Sequence, residues 1–294
     1  GTGVSLGSKS SKILWLRLTE KAVGWFLVVL SAILSISGFM LFDRAAHGAG
    51  WACYMFSVLA ILAVPFLFRG LTVSASKPLI NPRLTIPVFA TFLITGVVIL
   101  GFVLRVHNIS ELPAGLWYDE ADNIIRAGQI HASPSNTPVF VPSTHLPSAF
   151  LVPIAMLQEL TGVSWLNGRL ASAGFSVILI LAMFYFAKDV FGIFWGLGGA
   201  FCVAIMRWSL NWGRIGMHGI TAAVFSALTG FLLWRSLITW SPFWFFWTGL
   251  VLGMGMWFYA PFRLFPIVIL IGVGLRICSG FPGWRRLVDC LVSM

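Results

Sequence analysis

The sequence predicts an all-α, polytopic transmembrane helical bundle of about eight spans with an external juxtamembrane helical loop. Three observations carry this. Hydrophobic residues make up 59% of the 294 positions and charged residues only 10%, against about a quarter charged in a soluble domain. Apolar runs approach the roughly 20 residues that cross a bilayer and recur along most of the chain. Lys and Arg collect between those runs rather than within them, as membrane proteins arrange them.

The net charge of +10 in a soluble protein would point to nucleic acid; here it reflects cations at the cytoplasmic ends of helices, and no nucleic-acid partner is expected. Cys53, Cys202, Cys278 and Cys290 are scattered without CxxC or metal-ligand spacing, so they read as small apolar residues rather than redox groups.

The first three spans fall at about 22–42, 51–68 and 86–104. Lys9, Lys12, Arg17 and Lys21 precede the first; Arg69, Lys77 and Arg83 lie between the second and third; the loop at 43–50 sets one Arg beside one Asp. The positive-inside rule then puts the N-terminus in the cytoplasm and residues 105–146 outside. The segment "LPSAFLVPIAMLQELTG" (146–162) is short and contains Pro147 and Pro153, which suits an interfacial helix better than a span. If it stays outside, the later spans run at about 170–187, 193–206, 217–237, 243–259 and 264–280. Lys188, Arg235, Arg276, Arg285 and Arg286 are then cytoplasmic and Arg169, Arg207, Arg214 and Arg263 external, too even a division to decide the matter. The organisation expected is a basic cytoplasmic tail (1–21), a two-helix membrane segment (22–84) and a membrane core (85–294). That core includes the external loop 105–146 and the juxtamembrane segment 147–162.

Three of the nine acidic residues, Asp119, Glu120 and Asp122, fall in "GLWYDEADNIIRAG" (115–128). Asp119 is suited to cap a helix that starts at Glu120, with Glu120 and Asp122 in a first turn that favours negative charge. Ala121, Ile124, Ile125 and Gly128 would then form an apolar strip on the membrane surface, with Trp117 and Tyr118 at headgroup level. A carboxylate there is also suited to take a proton from an acceptor hydroxyl. Adjacent helical residues face apart, so Asp119 and Glu120 should divide the work between base and positioning group. External arginines supply complementary charge, and a guanidinium fork matches phosphate. His131 and His145 share the loop with the acids, but no spacing supports a metal site.

The ordered pieces "LWYDEADNIIRAG", "HLPSAFLVPIAMLQELTG", "NGRLASAGFSVILILAMFYFAKDVFG", "MRWSLNWGRIGMHGITAAVF" and "GMGMWFYAPFRLFPIVIL" cover about residues 112–272. In this order they resemble the GT-C membrane glycosyltransferases, in the bacterial branch similar to protein O-mannosyltransferases and the lipid A aminoarabinose transferase. The resemblance implies inverting transfer of a sugar from a polyprenyl-phosphate donor to an acceptor at the external membrane face. It implies Asp119 as catalytic base with Glu120 beside it, and Arg214 and Arg263 as donor-phosphate ligands. His145, Arg169, Tyr259 and His218 become candidates for lining the substrate site. It also makes the Pro-containing segment a juxtamembrane helix and implies a bacterial inner-membrane location with the active face outside. Besides the donor, membrane lipids are the expected partners. No motif fixes a cofactor; a divalent cation is the one candidate.

The chain departs from the family pattern in several places. "HLPS" stands where relatives have "HPPL", and Gly213 replaces the Ser before Arg214. No acidic residue occurs between Asp189 and Asp289, and the spans are fewer than relatives commonly have. These departures give the expectation of a truncated or degenerate member, and the alternative function of a non-catalytic GT-C-like membrane subunit in a larger complex.

Overall fold

The computed structural model describes residues 6–44, 46–67, 86–134, 137–141, 146–239 and 241–278. The expectations for His145, Arg69, Lys77, Arg83, Arg285, Arg286, Asp289 and Cys290 fall outside them. The described residues form eleven α-helices and no β-strand, with one isolated antiparallel bridge between Phe140 and Pro147. They group into two compact units, one built on the first two helices with Ser241–Phe243 and the other on the rest.

The first unit is a hairpin of α1 (Leu6–Asp43) and α2 (His47–Leu67). The first helix therefore begins at Leu6, within the basic tail. The hairpin closes on small and hydroxylated residues, which let apolar helices approach closely. Ser57 Oγ lies 3.0 Å from Ser31 Oγ and 2.7 Å from Ser35 Oγ, and donates to the Ser31 carbonyl at 2.9 Å. A Cβ on Gly38 would lie 2.7 Å from the Tyr54 ring. Trp25, Phe26, Ile33, Phe39, Met55 and Phe56 stay exposed, as expected of side chains that face lipid.

The second unit holds α3 (Val88–Val106), α4 (Tyr118–Ala132), α5 (Leu151–Thr161) and α6 (Leu166–Phe191). It continues with α7 (Ile193–Ile205), α8 (Arg207–Trp212), α9 (Gly219–Thr239), α10 (Pro242–Phe258) and α11 (Phe265–Cys278). Ala22–Leu41, Val88–Val106, Leu166–Phe191 and Gly219–Thr239 are long and apolar enough to cross a membrane; α7, α10 and α11 are apolar but shorter. The chain is an integral membrane protein on this reading of its helices. Pro87 starts α3, and Gly192, at φ +100°, turns the chain sharply between α6 and α7, a conformation nearly restricted to glycine.

An apolar core of Ile94, Leu179, Ile180, Phe184, Ala200, Val203, Ala204, Ile220 and Val224 joins α3, α6, α7 and α9. Arg105, near the end of α3, is fully buried. It donates to the Gly101, Ala204 and Val203 carbonyls at 2.7, 3.0 and 3.2 Å, to Ser209 Oγ at 2.8 Å, and to Ser176 Oγ. It thereby satisfies carbonyls that the end of α7 leaves without helical partners. At the opposite end of the bundle, Asp189 of α6 pairs with Lys188 (3.2 Å) and with Arg235 of α9.

These ties fix the sense of the helices. The end of α3 and the start of α6 lie at one end of the unit, so α4 and α5 between them both stay there. At 11 residues α5 is about 16 Å long, roughly half the hydrocarbon thickness. It packs on α4 and α6 through Ala127, Phe150, Leu151, Ile154, Ala155 and Ala171. The Pro-containing segment is thus a short helix at the same end of the unit as the end of α3 and the start of α6.

Candidate functional site

α4 starts at Tyr118, with Trp117 as its N-cap and no side-chain cap. Asp119 therefore lies inside the first turn rather than at the cap, two residues' difference from the expected start at Glu120. The inward face also differs from the expected strip: Glu120, Asn123, Ile124 and Ala127 are buried, while Ile125 is 62% exposed. Neighbouring residues on a helix point about 100° apart, and this separates the carboxylates. Glu120 turns into the protein and has no exposed surface, whereas Asp119 turns out. Asp122 pairs with Arg126 one turn on, at 3.3 Å.

Glu120 is held by Arg169 from the first turns of α6. Arg169 Nε donates to Glu120 Oε1 at 2.9 Å and Nη2 to Oε2 at 3.3 Å. The same guanidinium reaches the Ile109, Pro113 and Gly115 carbonyls at 2.8, 3.2 and 2.6 Å, so all five of its N–H groups have acceptors. The Trp165 ring lies 4.8 Å from its Cζ, close enough for a cation–π contact. One ion pair thus ties the loop before α4, the start of α4 and the start of α6 into a single support beneath Asp119.

The loop from Gly213 to His218 closes the support from the other side. The Gly216 N–H donates to Glu120 Oε1 at 2.9 Å, and Asn123 Nδ2 donates to the Gly216 carbonyl at 2.9 Å. A Cβ on Gly216 would lie 2.9 Å from the Gly168 carbonyl carbon, so the two backbones touch where only glycine fits. Gly216 and Asn123 were not among the sequence candidates. The one signal for them is the glycine between Arg214 and His218 in "GRIGMH".

His218 is 7% exposed and packs on Phe150, with ring centroids 4.7 Å apart. Burial pushes its pKa down to about 4; a hydrogen bond to the Pro147 carbonyl and the charge of Asp119 oppose that shift. The ring is therefore neutral at physiological pH. Nε2 has no hydrogen-bond partner, so the bond to Pro147 comes from Nδ1. Among the described residues, Asp119 is the acid whose charge His218 feels.

The two arginines assigned to phosphate sit differently. Arg214 donates to the Leu104 and His107 carbonyls at 2.6 Å each and to Leu112 at 3.0 Å, closing the C-terminal end of α3. Burial, then the charge of Arg169, lowers its pKa. Arg263, in the short 3-10 helix Ala260–Leu264, is exposed, and its Cζ lies 5.4 Å from the Phe140 ring. Tyr259, just before it, is half-buried. Phe140 bridges to Pro147, and Trp257 Nε1 reaches the Val139 carbonyl at 3.4 Å. Segment 137–141 therefore links the Arg263 region to Pro147, against which His218 sits. Asp119, Glu120, Arg169 and His218 come together, Arg214 borders them through α3, and Arg263 lies beyond Phe140. Among the described residues no three His, Cys, Asp or Glu gather as a metal site.

No curated protein and no solved structure matches the chain. The family model described as dolichyl-phosphate-mannose-protein mannosyltransferase matches residues 147–286. That stretch contains Arg169, Arg214, His218 and Arg263, while Asp119 and Glu120 precede it. The match covers just under half of the chain and supports its resemblance to the GT-C membrane glycosyltransferases, a family that uses polyprenyl-phosphate sugar donors.

Proposed function

We propose that the chain transfers a sugar, with inversion, from a polyprenyl phosphate to an acceptor hydroxyl at the external membrane face, and that Asp119 is the general base. The observation that carries this reading is the division of labour in α4. Glu120 is committed to Arg169 and Gly216, Asp122 to Arg126, and Asp119 alone of the three makes no ion pair among the described residues. Its position is nonetheless fixed, because the helix that bears it is pinned one residue away. Rigid support beneath an exposed carboxylate suits a catalytic group.

In the reaction, an Asp119 oxygen accepts the proton of the acceptor hydroxyl. The acceptor oxygen forms its bond to the anomeric carbon as the bond from that carbon to the phosphate oxygen breaks. The electron pair leaves on the polyprenyl phosphate. Arg263 is the donor-phosphate ligand with its guanidinium open, and stabilises the negative charge as it develops. Arg214 adds positive charge to the same face while most of its N–H groups hold α3. Leu112, Leu116, Trp117 and Tyr118, all exposed beside Asp119, suit the bilayer surface where a lipid donor arrives.

The test is incubation of the complete protein in membranes with radiolabelled polyprenyl-phosphate mannose. Release of polyprenyl phosphate with label in a product of opposite anomeric configuration is expected. Retention of configuration would contradict a single displacement with Asp119 as base.

A further inference from the structure

Resting on the transfer reading above, we propose that the Nε2 lone pair of His218 accepts a hydrogen bond from a hydroxyl of the transferred sugar, making His218 the residue that orients the sugar beside Asp119. Three independent observations meet at this ring. Its Nδ1 is engaged by the Pro147 carbonyl, which leaves Nε2 as an acceptor. That Nε2 is buried and has no partner, an arrangement that costs free energy until a donor arrives. The imidazole lies on an aromatic floor, 4.7 Å from Phe150, which is itself 5.9 Å from Phe175.

The chemistry of the missing partner follows. A phosphate or carboxylate oxygen has no proton to give to Nε2, so the donor phosphate does not bind there. The hydroxyl that attacks gives its proton to Asp119 in the reading above, so it is not the hydroxyl that rests on Nε2. A hydroxyl that keeps its proton throughout fits, and a sugar supplies several. Aromatic side chains beneath such a polar acceptor suit the apolar face of a sugar ring, with one directional hydrogen bond to set its orientation. The bond discriminates among sugars, because a donor lacking that hydroxyl leaves Nε2 unpaired.

The experiment measures binding of short-chain polyprenyl-phosphate mannose and its monodeoxy analogues to the full chain in nanodiscs, as wild type, His218→Phe and His218→Gln. One analogue should bind the wild type roughly 5- to 150-fold more weakly than the parent, the range that one unpaired buried polar group produces. His218→Phe should bind parent and analogue equally, and His218→Gln, which retains an acceptor, should restore part of the discrimination. In the wild type, the 15N signal of the unprotonated His218 Nε2 should move upfield with the parent and not with that analogue. Equal discrimination by wild type and His218→Phe, or an Nε2 signal unmoved by a parent that binds, overturns the role of His218 alone. Failure of the parent to bind any variant overturns the transfer reading and this inference with it.

Discussion

Arg169 spends two N–H groups on Glu120 and three on backbone carbonyls of residues 109–115, and neither side chain has exposed surface. A buried ion pair owes its worth to such complete satisfaction; removing one partner strands the other. Glu120→Gln or Arg169→Met should each destabilise the protein by about 3–5 kcal/mol, read as a lowered unfolding temperature in detergent. The double variant should cost less than the sum of the two. Simple additivity would show that the pair does not act as a unit.

Gly216 is gripped on both sides of its peptide by α4 and pressed against Gly168. Gly216→Ala forces backbone, not a flexible side chain, to move, and should cost about 1–3 kcal/mol. It should also depress transfer, since the same loop carries His218. Gly174→Ala, where a Cβ meets nothing within 4 Å, is the control and should leave both readouts unchanged. Equal behaviour of the two variants would count against the contact.

Arg214 and Arg263 should part company. Arg214→Gln releases the carbonyls of Leu104 and His107 and should destabilise by about 1–3 kcal/mol. Arg263→Gln touches an exposed side chain, so stability should hold while the KM for the lipid-phosphate donor rises about tenfold, the loss of one charge-assisted contact. A donor KM unaffected by Arg263→Gln removes that residue from the phosphate site.

The His218 pKa gives a pH dependence with a definite sign. Its folded value of about 4 lies below the unfolded value near 6.5, so the unfolded chain binds the proton first. The stability associated with the neutral ring is present above pH 6.5 and is lost as pH falls towards 4, by roughly 3 kcal/mol. Unfolding temperatures of wild type should fall over that window more steeply than those of His218→Phe. Parallel curves would place His218 in water.

Membrane helices were legible because apolar runs and cation placement report directly on the bilayer, and α3, α6 and α9 follow those runs closely. The shortness of α5 was legible from the short apolar run and its prolines. That Asp119 and Glu120 point different ways was legible, because neighbours on a helix diverge. That Glu120 is the one turned inward was not, since that depends on Arg169 being brought in from 49 positions away. The same limit hid Gly216 and the capping role of Arg214, whose partners are backbone groups without sequence identity. The helix start at Tyr118 was missed because Trp117 supplies no side-chain cap to recognise.

The central claim is that Asp119 does chemistry while Glu120 holds it in place, and single-turnover transfer from polyprenyl-phosphate mannose by Asp119→Asn measures it most directly. Because Asp119 is exposed, the variant should match the wild type in membrane expression and unfolding temperature. Its transfer rate should fall about 10²- to 10⁴-fold, the contribution of a general base. Turnover within a few-fold of wild type, in a variant that is equally stable, would contradict the account.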